Sequence, residues 1–302
     1  MGNLVKQTSN KILKRIYRIP PLQRQVELSY QAAVKQHVEH LPMLSPKDLN
    51  LVETVKREGV AITSLDALSI PSSKKMFEVS QNLMSQIPKS IPGTKNEYVV
   101  HASSRQMMEN SEICLWGLDQ RILNIAENYL GLPVAFHGAY FRRDIANNIE
   151  DMSRLWHIDI EDLRVFKVII YLQDVNEENG PFEYIPLSLS KQVAEKLKYR
   201  HGYVKSQRME QALSDSHYQS CTGKAGTVVI AATGSVFHRG KKPIASDRFA
   251  LFFDYTSRLP KLSFLNQYSM TQENLHLLSS KVSESQRQSL LWQENGFYPE
   301  SN

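Results

Sequence analysis

Apolar residues recur along this chain with two different periods, and the change from one to the other divides it. Early in the chain they fall three or four residues apart. Ser45-Pro46-Lys47-Asp48 reads as a helix start, with serine as cap, proline in the first turn and an acid beside it. Leu49, Val52 and Val55 mark one face of that helix, and Gly59 is its stop. A strand over Val60 to Thr63 is predicted directly after it. A further helix is predicted from about Ser72-Ser73, with Met76, Phe77, Val79, Leu83, Met84 and Ile87 facing inward. Upstream, a short helix is predicted from about Asn10, ended by Pro20-Pro21, and another over Leu22 to Val38.

From about Asn96 the texture changes. The segments Glu97–His101, Val134–Arg142, Val165–Leu172, Gly226–Ala231 and Phe249–Thr256 are rich in Val, Ile, Phe and Tyr and are bounded by turn formers, so they read as antiparallel strands. Gln272 to Trp292 reads as a C-terminal helix. Helices first and strands later imply an α+β chain with a mainly β core, a flanked sandwich or jelly roll, not an alternating parallel sheet.

The 302 residues are 41% apolar and 22% charged, the balance of an ordinary soluble globular protein. No stretch approaches the ~18 uninterrupted apolar residues that a spanning helix needs, and the N-terminus lacks the apolar block of a secretory signal. A cytoplasmic location is therefore expected. Lys6 stands where a myristoylation signal wants Ser or Thr, which removes that anchor. With only Cys114 and Cys221, neither a disulfide framework nor a zinc-thiolate site is expected.

The net charge of +5 is not spread evenly. Residues 1–40 carry seven Lys or Arg against two Glu, and the remainder is balanced at 29 against 29. The expected organisation is therefore a basic helical arm over 1–40 and one catalytic domain over 41–302, with its β core at about 96–258. The body has no global signature for nucleic acid. The arm reads either as a helix packed on the body with a solvated basic face or as a weak contact to anionic lipid.

Trp156-His157-Ile158-Asp159 sets an imidazole and a carboxylate at i and i+2, which on a strand means one face. The strand Thr227–Ala231 is followed by Phe237-His238-Arg239-Gly240 and, ten residues after the histidine, by Arg248. Two imidazoles and one carboxylate on one side of a metal are what non-haem iron(II) oxygenases need, since the other positions stay open for a chelating cosubstrate and dioxygen. A guanidinium fork can take the distal carboxylate of 2-oxoglutarate in two parallel hydrogen bonds.

In these motifs the sequence resembles the phytanoyl-CoA dioxygenase family of iron and 2-oxoglutarate oxygenases, from about residue 50 to 258. The run from Trp156 to Ser188 is the most specific part, with W-H-x-D, then Asp174-Val175, Asn179-Gly180-Pro181 and Ile185-Pro186. Two departures stand out. Leu187-Ser188-Leu189 replaces the family's Gly-Ser-His ending, and Pro243-Ile244-Ala245-Ser246 gives a spacing of ten to Arg248 where eleven is usual. Arg258 is the fallback anchor.

The resemblance implies a double-stranded β-helix, a cupin-like jelly roll braced by N-terminal and C-terminal helices, with the metal at its open mouth. It implies iron held by His157, Asp159 and His238, with 2-oxoglutarate and dioxygen as cosubstrates and hydroxylation of a C–H bond as the outcome. Tyr140 and Lys167 match cosubstrate positions beside Arg248. Arg142 matches a substrate position, while Trp156 beside the first ligand reads as packing or as a substrate contact. The expected substrate is a small molecule, with tailoring of a specialised metabolite ahead of a lipid or acyl substrate. Two rivals remain, a zinc hydrolase on the same three ligands and an inactive jelly-roll binding module.

Overall fold

The computed structural model describes residues 20–90, 97–258 and 271–294. Six strands, β1 (Val60–Ser64), β2 (Val99–His101), β3 (Val134–Asp144), β4 (Phe166–Tyr171), β7 (Thr227–Ala231) and β9 (Arg248–Ser257), form one antiparallel sheet in the order β1-β7-β4-β9-β3-β2. Three short strands, β5 (Phe182–Tyr184), β6 (Gln219–Cys221) and β8 (His238–Gly240), form a second sheet in the order β6-β5-β8. The central strands β4 and β7 are apolar along almost their whole length because both faces of the large sheet are covered.

On the outer face Val168, Ile170, Val228, Ile230, Leu251 and Phe253 join the main core with Val52, Val55, Met76, Trp116 and Ile122, contributed by helices. On the inner face Ile169, Tyr171, Val229 and Ala250 meet Phe182 and Cys221 of the small sheet. Tyr171 ties the two layers: its hydroxyl donates to the Cys221 carbonyl at 2.7 Å and accepts the Phe182 N–H at 3.0 Å. Alternation then decides what faces the small sheet. Lys167 of β4, Asp254 and Arg248 of β9, and Tyr140, Arg142 and Asp144 of β3 share that inner face with Ile169 and Ala250.

The helix Pro46–Glu58 starts at Ser45, whose hydroxyl accepts the Asp48 N–H at 3.2 Å, and stops at Gly59 with φ +89°. A side chain at 59 would run into Val236, and the Gly59 carbonyl accepts the Ala232 N–H at 2.8 Å. The end of this helix is thereby fixed to the segment that leads into His238.

Several expectations change. Residues 10–19 lie outside the described residues, and Pro20-Pro21 opens the helix Pro20–His37, where proline's missing N–H costs nothing. That helix is docked on the body: Tyr30 donates to the Leu130 carbonyl at 3.0 Å, and His37 meets Glu127 at 2.7 Å. The C-terminal helix is two, Gln272–Ser279 and Glu284–Leu290, because Ser283 and Gln286 form a capping box that starts the second afresh. Helices Gln120–Leu130, Leu187–Leu197 and Ser206–Ala212 interrupt the region expected to be mainly strands.

Candidate metal centre

His157 and Asp159 lie in an extended segment that belongs to neither sheet, which corrects the expectation that a regular strand carries them. Their common direction comes from two neighbours. His157 forms an antiparallel bridge with His238, each N–H donating to the other's carbonyl, and the Asp159 N–H donates to the Thr233 carbonyl at 3.0 Å. A ligand atom from each of His157, Asp159 and His238 then lies within 4.8 Å of the other two. His157 Nε2 is 3.7 Å from Asp159 Oδ1, and His238 Nε2 is 3.8 Å from Asp159 Oδ2.

The protonation pattern suits a cation. Nδ1 of His157 lies 2.8 Å from the Leu155 carbonyl and Nδ1 of His238 lies 3.1 Å from the Val236 carbonyl. A carbonyl only accepts, so each Nδ1 carries the proton and each Nε2 presents a lone pair. Burial lowers the pKa of both rings, His238 to about 3, which keeps them neutral at neutral pH. Burial alone would raise Asp159, but Lys167, His238 and His157 overcome it and hold the carboxyl well below its ordinary range. Asp159 Oδ2 is buried and accepts no hydrogen bond. Lys167 Nζ lies 2.9 Å from it, a close positive charge.

Around this triad the walls are defined. The Phe182 ring stacks on His238 at 5.5 Å and 23°, and the half-exposed Tyr203 ring stands 5.1 Å from His157 at the rim. Lys167 also lies 3.8 Å from Asp254 Oδ1, its direct cross-strand partner. Burial and then Asp159 push the Glu161 carboxyl up to about 7. Tyr140 pairs across strands with Phe252 and lies edge-on to His101 at 6.3 Å.

Arg248 is 2% exposed and already engaged. Its Nη2 donates to Asp144 Oδ2 at 2.7 Å, its Nη1 donates to the Gly180 carbonyl, and its Nε is buried without a partner. Arg142 takes the other oxygen of Asp144 through Nε at 3.0 Å and Nη2 at 2.6 Å, and stands over the Phe252 ring. Gly240, two residues beyond His238, approaches both guanidiniums closely enough that a side chain there would meet Arg248 Nη2 at 3.1 Å. Arg258, the fallback anchor, is not in the site. It lies past the far end of β9, ten residues and ~33 Å of strand away, where its Nε donates to the Val134 carbonyl at 3.2 Å. Of the two readings of Trp156, packing is the one the fold supports: it is fully buried with Ile185, Val193 and Phe237, beneath the Arg239 guanidinium at 4.5 Å.

Asp144, Asp254, Phe182 and Tyr203 were not legible as site residues. Only Asp144 had a local signal, as an acid two residues after Arg142 at a strand end.

No family model matches the chain, and a search of curated proteins finds no match. Solved structures do resemble it in fold. HygX from Streptomyces hygroscopicus, with nickel and 2-oxoglutarate bound, superposes with a TM-score of 0.50 at 14% identity over 72% of this chain and 89% of that one. The non-haem α-ketoglutarate-dependent carbocyclase SnoK from nogalamycin biosynthesis superposes with a TM-score of 0.50 at 17% identity over 80% of this chain and 91% of that one.

Proposed function

We propose that this protein is a non-haem iron(II) oxygenase that takes 2-oxoglutarate and dioxygen and oxidises a C–H bond of a small molecule. The observation that carries this is the convergence of His157, Asp159 and His238 on one point, with ligand atoms within 4.8 Å of one another and both Nδ1 protons directed away. The buried Asp159 carboxylate, held charged beside the Lys167 ammonium and both imidazoles, is a donor that fits a cation placed against it. Two imidazoles and a carboxylate are a donor set for iron(II) with open positions. Iron bound there would supply dioxygen activation coupled to the oxidative decarboxylation of 2-oxoglutarate.

The chain's own side chains would hold and orient. Arg248 is proposed to take the distal carboxylate of 2-oxoglutarate, with Tyr140 and Lys167 as further cosubstrate contacts and Arg142 as a substrate contact. Phe182, stacked on His238, keeps water from that side of the ligand. Two packed antiparallel sheets, and the fold likeness to SnoK and HygX, support reading the core as a double-stranded β-helix. The phytanoyl-CoA dioxygenase likeness stays a proposal carried by the motif from Trp156 to Pro186. A specialised metabolite is the proposed substrate, SnoK of nogalamycin biosynthesis being the parallel.

Anaerobic titration tests this. Iron(II) followed by 2-oxoglutarate should give the weak visible charge-transfer band of the chelate. A protein that binds the metal without developing the band on adding 2-oxoglutarate is not this kind of enzyme.

A further inference from the structure

Burying a guanidinium is costly unless its hydrogen bonds and charge are both met. Arg248 and Arg142 solve this with one shared carboxylate. Asp144 is 1% exposed and stands directly across the strand pair from Arg248, two residues from Arg142 on the same face of β3. Its two oxygens are divided: Oδ2 takes Arg248 at 2.7 Å, and Oδ1 takes Arg142 at 3.0 and 2.6 Å. Burial alone would raise its pKa, but the two arginines hold the carboxyl at about 2, so it is charged at any working pH. Two cations against one anion leave the group one positive charge in excess. A third arginine, Arg154, is 2% exposed and close enough to Asp144, Arg142 and Arg248 to feel their charges; its Nη1 and Nη2 donate to three backbone carbonyls and the Asn147 amide oxygen.

The bonds of Arg248 decide which edge of its fork remains. Nη1 is committed to the Gly180 carbonyl and Nη2 to Asp144, while Nε, fully buried, donates to nothing. A guanidinium has five N–H donors, and the N–H on Nε is the one whose nitrogen has no partner, so it is the donor left for a guest carboxylate. The Gly180 carbonyl and Asp144 hold the group from two sides, and Gly240 leaves it room.

We propose that Asp144 is the positioning residue for the cosubstrate: it fixes the Arg248 guanidinium with its Nε unpaired and separates it from Arg142, so that the guanidinium already stands in place for one carboxylate of 2-oxoglutarate. This rests on the reading that 2-oxoglutarate binds at this centre. Without Asp144 the two guanidiniums repel and Arg248 loses one of its two anchors. Each binding event must then reassemble the fork.

The test is equilibrium binding of 2-oxoglutarate to the full chain loaded with cobalt(II) or iron(II) under argon, comparing wild type with Asp144→Ala and Asp144→Asn. Asp144→Ala should weaken 2-oxoglutarate by roughly tenfold or more, as truncating one partner of a buried charge pair does, while the affinity for cobalt(II) alone stays unchanged. Added acetate should restore part of the 2-oxoglutarate affinity in Asp144→Ala and none in wild type, which a loss of general structure would not give. Unchanged or tighter 2-oxoglutarate binding in Asp144→Ala would overturn the proposal, making Asp144 a competitor and not a positioner. If Asp144→Ala does not fold, Asp144→Asn, which keeps the size and one acceptor, decides by the same criterion. Wild type that binds cobalt(II) but no 2-oxoglutarate would instead remove the cosubstrate assignment itself.

Discussion

His157 and His238 hold each other through the main chain, each N–H donating to the other's carbonyl oxygen at 3.1 and 3.0 Å. Their imidazoles therefore converge because the backbone brings them together, and neither ring is needed to keep the bridge. His157→Ala and His238→Ala should accordingly keep a cooperative thermal transition in the metal-free state. Metal affinity should fall by more than the ~10–100-fold typical of losing an outer-shell partner, since a ligand itself is gone. Calorimetric titration with cobalt(II) measures it, and near-wild-type affinity in either variant would remove that histidine from the centre.

Gly59 joins the helix Pro46–Glu58 to β1 at φ +89°, against Val236 two residues before His238. Alanine there meets both left-handed backbone strain, about 1–2 kcal/mol, and a clash with a close-packed neighbour, about 1–3 kcal/mol. Gly226 has nearly the same φ, +86°, but its nearest neighbour would be 3.9 Å away. Gly226→Ala should therefore show only the backbone cost, and urea melts of the two variants should differ by the clash alone. Equal losses would mean that Val236 yields freely.

The long strands and the candidate metal centre were legible because each signal was local or strongly periodic. Val165–Leu172 and Phe249–Thr256 have the length and β-branched content that β4 and β9 need, and the motifs W-H-x-D and Phe237-His238-Arg239-Gly240 pointed to His157, Asp159 and His238, whose side chains the fold brings within 4.8 Å of one another. β5, β6 and β8 have three residues each, too short to display alternation, and they exist because Tyr171 and the histidine bridge supply partners from distant segments. The helix Gln120–Leu130 did carry a signal, with Asp119 as cap, Ile122, Leu123, Ile125 and Ala126 buried and Gly131 as stop. Asp254 beside Lys167 and Asp144 beside Arg248 are cross-strand pairs set by register, which no single stretch of sequence contains.

Asp144 makes stability depend on acid in a defined window. Its folded pKa of about 2 lies below the ordinary 3.8, so the folded state binds fewer protons than the unfolded one between those values. The stabilisation is complete above pH 3.8 and is lost as pH falls toward 2. At about 1.36 kcal/mol per pH unit, that interval is worth roughly 2–3 kcal/mol. Denaturant midpoints from pH 5 down to 2.5 should show this acid limb in wild type and a shallower one in Asp144→Asn. Identical limbs would mean that other carboxylates carry the acid sensitivity.

Arg248→Ala should weaken 2-oxoglutarate selectively, because it removes the donor edge that the proposed anchor offers to a carboxylate away from water. Truncating one partner of such a buried pair costs ~2–5 kcal/mol, and each ~1.4 kcal/mol is tenfold in affinity, so the 2-oxoglutarate constant should rise at least ~30-fold. The fold will also feel the change, since the Gly180 carbonyl loses its donor. Asp144 still keeps two bonds from Arg142, which spares it the full penalty of an unpaired buried charge. Arg248→Lys separates the two effects. One ammonium can restore charge beside Asp144 and so recover stability, but it cannot present two parallel N–H bonds to a guest carboxylate. Its melting temperature should therefore lie nearer wild type than its 2-oxoglutarate affinity does. Arg258→Ala, at the far end of β9, is the control that should leave the titration unchanged. A 2-oxoglutarate midpoint in Arg248→Ala equal to that of wild type, on protein loaded with the same metal, would exclude Arg248 as the anchor and leave Lys167, 2.9 Å from Asp159, as the next cation to test.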